Sequence, residues 1–402
     1  LSVPVGCFFG RTKTFEVEKV VNRLLKVCTV LSGDVGSVAA AGEIILTEGH
    51  RYMPILLARR GERAALGLLS AAARQGLVPL LVIPPPPMDG GRRPGSHLID
   101  VAMELGHGWN GRMFVDLGYF QEGIPDYAVH PLASFTDDLA QFGIAAVPVT
   151  SPTRAVVYNA AVAALHRVRA CGVCLRLGPF DWPMGHRSHR SAAVEELLRF
   201  LGVSPAETDL VLDLGVAIRD GPSEALQASG IALAHLSYAR EWRSIAVAGT
   251  AVPRDMEGIY PGLSPIRRAE WTNFRALAES SSGRRPVFGD YAIVSPDTYD
   301  RRFDSRPSVS AALRYASAND WIMAKGGQYL RKNGLKSAAM NLVADLLCES
   351  EYFAGRQHCG ADEWITDVAS GASGGNPEMW LRYGTIHHLT VASEQLAGIF
   401  GP

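Results

Sequence analysis

Four aspartates stand at places in the chain where chemistry could be done. Asp116 and Asp213 each follow an apolar run in the same form, as Val115-Asp116-Leu117-Gly118 and Leu212-Asp213-Leu214-Gly215. Asp290 ends a third apolar run beside Tyr291, and Asp181 follows a fourth after Gly178-Pro179-Phe180. Carboxylates converging on one point can hold a divalent cation such as Mg2+ or Mn2+, and two carboxyls in unlike surroundings can divide acid and base roles. The expected arrangement puts Asp116, Asp213 and Asp290 on the metal and Asp181 beside them as base, for metal-assisted hydrolysis of a phosphoester. A structural alternative competes. Arg176 lies mid-run among apolar neighbours, where a charge survives only if paired, and Asp213 on the next run is its natural partner.

Other residue types add ligand contacts. Arg59-Arg60-Gly61-Glu62 leaves the first run and opens a helix, so its two guanidiniums could clamp a phosphate or carboxylate, or else pair with Glu62 and nearby acids. Gly249-Thr250 follows the seventh run, where glycine lets a backbone approach a ligand or make a tight turn. His186 and His189 have i, i+3 spacing that would suit a metal on a helix, but Gly185, Arg187 and Arg190 point to a solvated loop. His387 and His388 open the last helical stretch. Consecutive helical residues point about 100° apart, so at most one is expected to face a core, in capping or packing. Arg59, Arg60, Arg176, Gly249, Tyr291 and His387 are the candidate ligand contacts.

The elements that must position these residues recur regularly. Eight β-rich runs are read at 52–57, 78–83, 112–117, 145–150, 172–177, 209–214, 244–248 and 286–290. Each is nearly continuously apolar rather than alternating, as parallel strands covered on both faces are. Helices are expected between them, among them 62–75, 153–170 and 191–201. Strands alternating with helices over this length give an α/β fold, a (β/α)8 TIM-like barrel with its site at the C-terminal ends of the strands. An open doubly wound sheet is disfavoured because no Gly-rich phosphate loop follows the first strand.

The expected organisation is an N-terminal extension over 1–48, with a helix at 16–31, a barrel over 49–355 and a C-terminal elaboration over 356–402. A hairpin is read from Ser310-Ala-Ala-Leu-Arg-Tyr-Ala and Asp320-Trp-Ile-Met-Ala-Lys around Ser317-Ala-Asn. The stretch 335–353 is expected to be the helix that completes the barrel, and 385–400 a final helix.

Composition narrows the function classes. Over 402 residues, 39 Lys+Arg oppose 40 Asp+Glu, so the basic excess of a dedicated nucleic-acid binder is missing. A hydrophobic share of 47% allows a large core. No apolar stretch is long enough for a membrane span, and the first residues lack a basic leader, so a cytoplasmic protein with no membrane partner is expected. Six scattered cysteines are too few for a disulfide framework. Cys171 and Cys174 have no second pair and are expected to be inert. The ligand is expected to be a small molecule, nucleotide or nucleic acid. Oligomeric state is not legible.

Several of these runs together resemble a family, the phage "beta protein" family that also occurs in bacterial genomes. The resemblance runs from Tyr52 to the end and rests on Tyr52-Met-Pro-Ile-Leu, Arg59-Arg60-Gly61-Glu62, Pro79-Leu-Leu-Val-Ile-Pro and Phe288-Gly-Asp-Tyr291. It continues through Leu313-Arg-Tyr, Trp321, and Trp380 to His387-His388. The chain departs from that pattern at Leu57, where a basic residue is common, at Val82, where an acid is, and at Ile386, where Asn is. The resemblance implies a fold but no established reaction. The competing reading is therefore a non-catalytic binding protein in phage–host conflict, using the same barrel mouth.

Overall fold

The computed structural model describes residues 49–401 except 87–92, 125–128, 179–186, 235, 281–283, 299–309 and 330–336. The expected helix over 16–31, and with it the 1–48 extension, lies outside the described residues, as do Asp181 and His186. His189 lies in helix Arg187–Leu201 by its backbone, and its side chain is outside the description.

All eight apolar runs form strands, and they close into one parallel barrel. In chain order these are β1 (Tyr52–Leu57), β2 (Leu80–Val82), β3 (Gly111–Asp116), β4 (Ile144–Thr150), β5 (Val173–Leu177), β6 (Thr208–Asp213) and β7 (Ser244–Gly249). A further strand, β8 (Gly262–Arg267), leaves the barrel, and β9 (Val287–Asp290) returns to it and closes it against β1 with Pro54 opposite Asp290. Alternate residues on each strand point in and out. Met53, Ile55, Leu57, Phe114, Val149, Cys174, Val211 and Ala248 fill the interior, so the barrel is a packed core rather than a pore. The opposite parity, including Tyr52, Leu56, Leu175, Leu212 and Phe288, packs outward under the helices.

The helices differ from expectation in detail. The stretch expected as one helix over 62–75 is two, Arg60–Leu68 and Ala71–Arg74, because the Ser70 hydroxyl accepts the Ala73 N–H and starts the second. The expected helix over 153–170 is Val156–Arg169, ended by Ala170 in the left-handed conformation at φ 50°.

The larger correction concerns what closes the barrel. The hairpin is present as antiparallel β10 (Ser310–Ala316) and β11 (Asp320–Gln328), and β8 adds to its far edge. The helix read at 335–353 is Ser337–Cys348, and it covers this three-stranded sheet instead of the barrel. Its Ala339, Met340, Val343, Ala344 and Leu347 share one apolar cluster with Ala311, Leu313, Tyr315 and Ile322. The covering helix of the barrel is Pro377–Phe400, whose Ile386, Leu389, Ala392 and Leu396 join the outer layer. It runs between barrel and sheet, and is therefore buried on two sides, the pattern of an interior helix. At Gly384 the fit is close: a Cβ there would come within 2.7 Å of Ile293 Cδ1 and 3.2 Å of the Arg314 carbonyl.

Candidate functional site at the barrel mouth

β8 follows the C-terminal end of β7, and β10 follows that of β9, so the antiparallel sheet stands over the C-terminal mouth of the barrel. That is the face where this fold carries its chemistry.

Four of the sequence candidates meet inside that end. Asp116 and Asp213 have inward parity, as do Arg176 and Tyr291. Arg176 Nε donates to Asp213 Oδ2 at 2.8 Å, its Nη1 reaches Asp116 Oδ2 at 3.2 Å, and its Nη2 donates to the Tyr291 hydroxyl at 2.8 Å. Tyr291 in turn donates to Asp213 Oδ2 at 2.5 Å, and burial first, with Asp213 beside it, pushes its phenol pKa well above the ordinary value. Arg154, which follows β4 and which sequence reasoning passed over as part of a helix start, lies with Nη2 2.8 Å from each Asp116 oxygen. Two guanidiniums thus meet two carboxylates. The expected Arg176–Asp213 pair is present, extended into a network.

The repeated Asp-Leu-Gly form has a local meaning as well. Asp116 Oδ1 accepts the Gly118 N–H at 2.8 Å, and Asp213 Oδ1 accepts the Gly215 N–H at 2.9 Å, each making a turn at a strand exit.

The third carboxylate does not join them. Asp290 has the parity of Phe288 and turns outward, where His388 Nε2 lies 2.6 Å from its Oδ2 and the Tyr52 hydroxyl donates to its Oδ1 at 2.9 Å. Burial alone would raise its pKa, yet His388 and these hydrogen bonds hold it below the ordinary carboxylate value. The strand alternation therefore corrects the expectation of a shared mouth for Asp116, Asp213 and Asp290. Among the described residues, the three are not a group of metal-ligating side chains, and the one such group lies elsewhere. His387, expected at a helix start, is mid-helix. Both His387 and His388 are fully buried, since the helix has a core on each side. Gly249 accommodates packing: a Cβ there would touch Leu214 Cβ and Ile218 Cγ2 at 3.2 Å.

The open space is beside this network. A cavity of about 530 Å³ lies between the mouth loops, the antiparallel sheet and the start of the last long helix. Arg59 follows β1, Arg254 follows β7, and Arg314 and Lys325 come from β10 and β11 to line it, with Asp255 and Glu257 as its acids. Ile293, Val294 and Trp380 supply apolar wall. Arg60, by contrast, is turned out, its side chain 72% exposed and 3.9 Å from Glu378. Lys325 Nζ is spent on the carbonyls of Met256 and Ile259, at 2.8 and 2.7 Å, which fastens the loop after β7 to the sheet.

Arg314 is the notable group. Its Nε is buried with no hydrogen-bond partner among the described residues. Burial, and then the Arg59 charge nearby, push its pKa down to about 10, while Asp255 acts in the opposite sense. Sequence reading missed it because Arg314 alternates with Leu313 and Tyr315, the pattern of a strand with one solvent face. Nothing local to β10 says that this face looks onto the barrel.

A family model described as Beta protein matches residues 52–393, and no curated protein matches the chain. The chain belongs to the Beta protein family.

Proposed function

We propose that this member of the Beta protein family binds a small anionic ligand, a phosphate-bearing molecule such as a nucleotide, in the cavity between the barrel mouth and the antiparallel sheet. The observation that carries this reading is Arg314, a half-buried guanidinium whose Nε is buried and unpartnered among the described residues, on the wall of a cavity that Arg59 and Arg254 also line. A cation partly withdrawn from water is costly unless an anion answers it. A phosphate answers a guanidinium with paired oxygens, and the apolar wall offers a surface for a base or other flat group.

Hydrolysis of the ligand's phosphoester is the second reading. Asp255 and Glu257 favour it, as carboxylates on the same cavity wall that can activate a water. The Asp116–Asp213 pair is committed to arginines, so this reading assigns the base to the cavity acids.

Calorimetric titration of the full chain with pyrophosphate, nucleoside mono-, di- and triphosphates and short single-stranded DNA tests binding. The expected result is saturable binding of one of these that weakens with added salt and falls at least tenfold in Arg314→Met. Equal affinity in wild type and Arg314→Met, or no binding by wild type, overturns it. Phosphate release that Asp255→Asn or Glu257→Gln abolishes would decide for hydrolysis.

A further inference from the structure

Away from the cavity, where β10 ends against the last two helices, four side chains of metal-ligating type converge. His358, Cys359, Asp362 and His387 each bring one ligating atom within 4.8 Å of all the others. Cys359 is the N-cap of helix Gly360–Ala369, Asp362 lies in its first turn, and His387 comes from Pro377–Phe400. Three contacts fall on a single oxygen. Asp362 Oδ2 lies 2.9 Å from His358 Nδ1, 3.0 Å from Cys359 Sγ and 3.0 Å from His387 Nδ1.

The far side of each group decides what these contacts are. His387 Nε2 lies 2.8 Å from the Ala316 carbonyl, which can only accept, so Nε2 carries the hydrogen. His358 Nε2 lies 3.0 Å from the Glu394 carboxylate, and the same holds there. In neutral imidazoles both Nδ1 atoms then present lone pairs, and both face a carboxylate oxygen. Protonating both rings would instead make an ion-paired cluster, two imidazolium ions with ring centroids 5.4 Å apart set against the Asp362 and Glu394 carboxylates, with His387 fully buried. A cation among the four atoms satisfies all of them. Two Nδ1 lone pairs, the Cys359 thiolate and Asp362 Oδ2 then point at one charge. The outer atoms already have the partners that orient ligands in metal sites: Ala316 O and Glu394 for the histidines, and for Asp362 Oδ1 the Tyr315 hydroxyl at 2.8 Å.

We propose that His358, Cys359, Asp362 and His387 bind one Zn2+ ion. Two imidazoles, a thiolate and a carboxylate suit zinc rather than Mg2+ or Mn2+, and four protein ligands complete a tetrahedral shell. The ion is structural. It ties helix Gly360–Ala369 to the helix that covers the barrel, and through Ala316 and Tyr315 to the sheet above the mouth. Binding releases the Cys359 thiol proton and any proton held on the two Nδ1 atoms. This site stands apart from the mouth cavity and does not depend on how that cavity is read.

Metal analysis of the purified full chain, with Co2+ substitution read by absorbance, tests this. The expected result is one equivalent of zinc per chain, replaceable by Co2+ with a thiolate-to-cobalt charge-transfer band and tetrahedral d–d bands. Cys359→Ser should lose the charge-transfer band, and His358→Ala should weaken metal binding at least tenfold. Both sites are partly exposed, and circular dichroism at low temperature checks that the variants fold. A strong chelator should lower the melting temperature of wild type. Wild type with no bound zinc and no Co2+ spectrum, or a charge-transfer band unchanged in Cys359→Ser, overturns the proposal.

Discussion

Arg176 on β5 and Asp213 on β6 are joined inside the barrel, Nε to Oδ2 at 2.8 Å, and the pair shares its charges with Arg154 and Asp116. Among the described residues these four charges sum to zero, so removing one upsets the balance in a largely buried place. Asp213→Ala is expected to lower stability by about 3 kcal/mol, read from urea unfolding. The double variant Arg176→Met/Asp213→Leu should recover much of that loss, because apolar groups of similar size avoid the desolvation that the pair incurs. If Asp213 served chemistry alone, the single variant would unfold at the wild-type urea concentration.

Gly61, in the Arg59-Arg60-Gly61-Glu62 segment, sits in the first turn of helix Arg60–Leu68, where alanine has the higher helix propensity. A Cβ there would stand 2.7 Å from the Glu378 carbonyl oxygen and 3.2 Å from Leu381. Backbone cannot retreat as a side-chain end can. Gly61→Ala should therefore destabilise by about 1–3 kcal/mol despite its higher helix propensity. A variant at least as stable as wild type in thermal unfolding would contradict the close crossing of these two helices.

Glu62 and Glu270 are buried carboxyls whose pKa desolvation raises from 4.5 to about 7. A carboxyl with a raised folded pKa binds its proton more tightly when folded. Its stabilising share is therefore present below the unfolded value and lost as pH rises through the folded one. Unfolding free energy should fall between about pH 4.5 and 7, by on the order of 3 kcal/mol per group. Glu62→Gln, measured by urea unfolding at pH 5 and pH 8, should flatten that slope. A slope identical to wild type would mean that Glu62 is ionised throughout.

The barrel was legible because eight continuous apolar runs are a signal that each run carries by itself. β8 was not, since Gly262-Leu-Ser-Pro-Ile-Arg is half-exposed and takes its strand form from β11. The same limit governs the site. Arg176 and Asp213 could be paired on paper because neighbouring parallel strands place them side by side. Asp290 was misplaced by one step of alternation, and a single step sends a side chain to the other face of a sheet. Arg314 and the His358–Cys359–Asp362–His387 group arise only from the docking of the sheet on the last helix. The spacing Cys359-x-x-Asp362 with His358 beside it was a visible sign, but its fourth member is on another helix.

That docking orders events during synthesis. Helix Pro377–Phe400 covers Tyr52 and the outer side of β9, yet a ribosome delivers it only after the last barrel strand, the hairpin and two further helices. Until then Tyr52 and Asp290 lack the partners this helix brings to the seam between β1 and β9, although Trp271 and Phe274 of helix Ala269–Ser280 already pack on Phe288. The nascent chain thus passes through a period with a nearly whole barrel and an exposed apolar strip, in which holdase chaperones would find a binding surface.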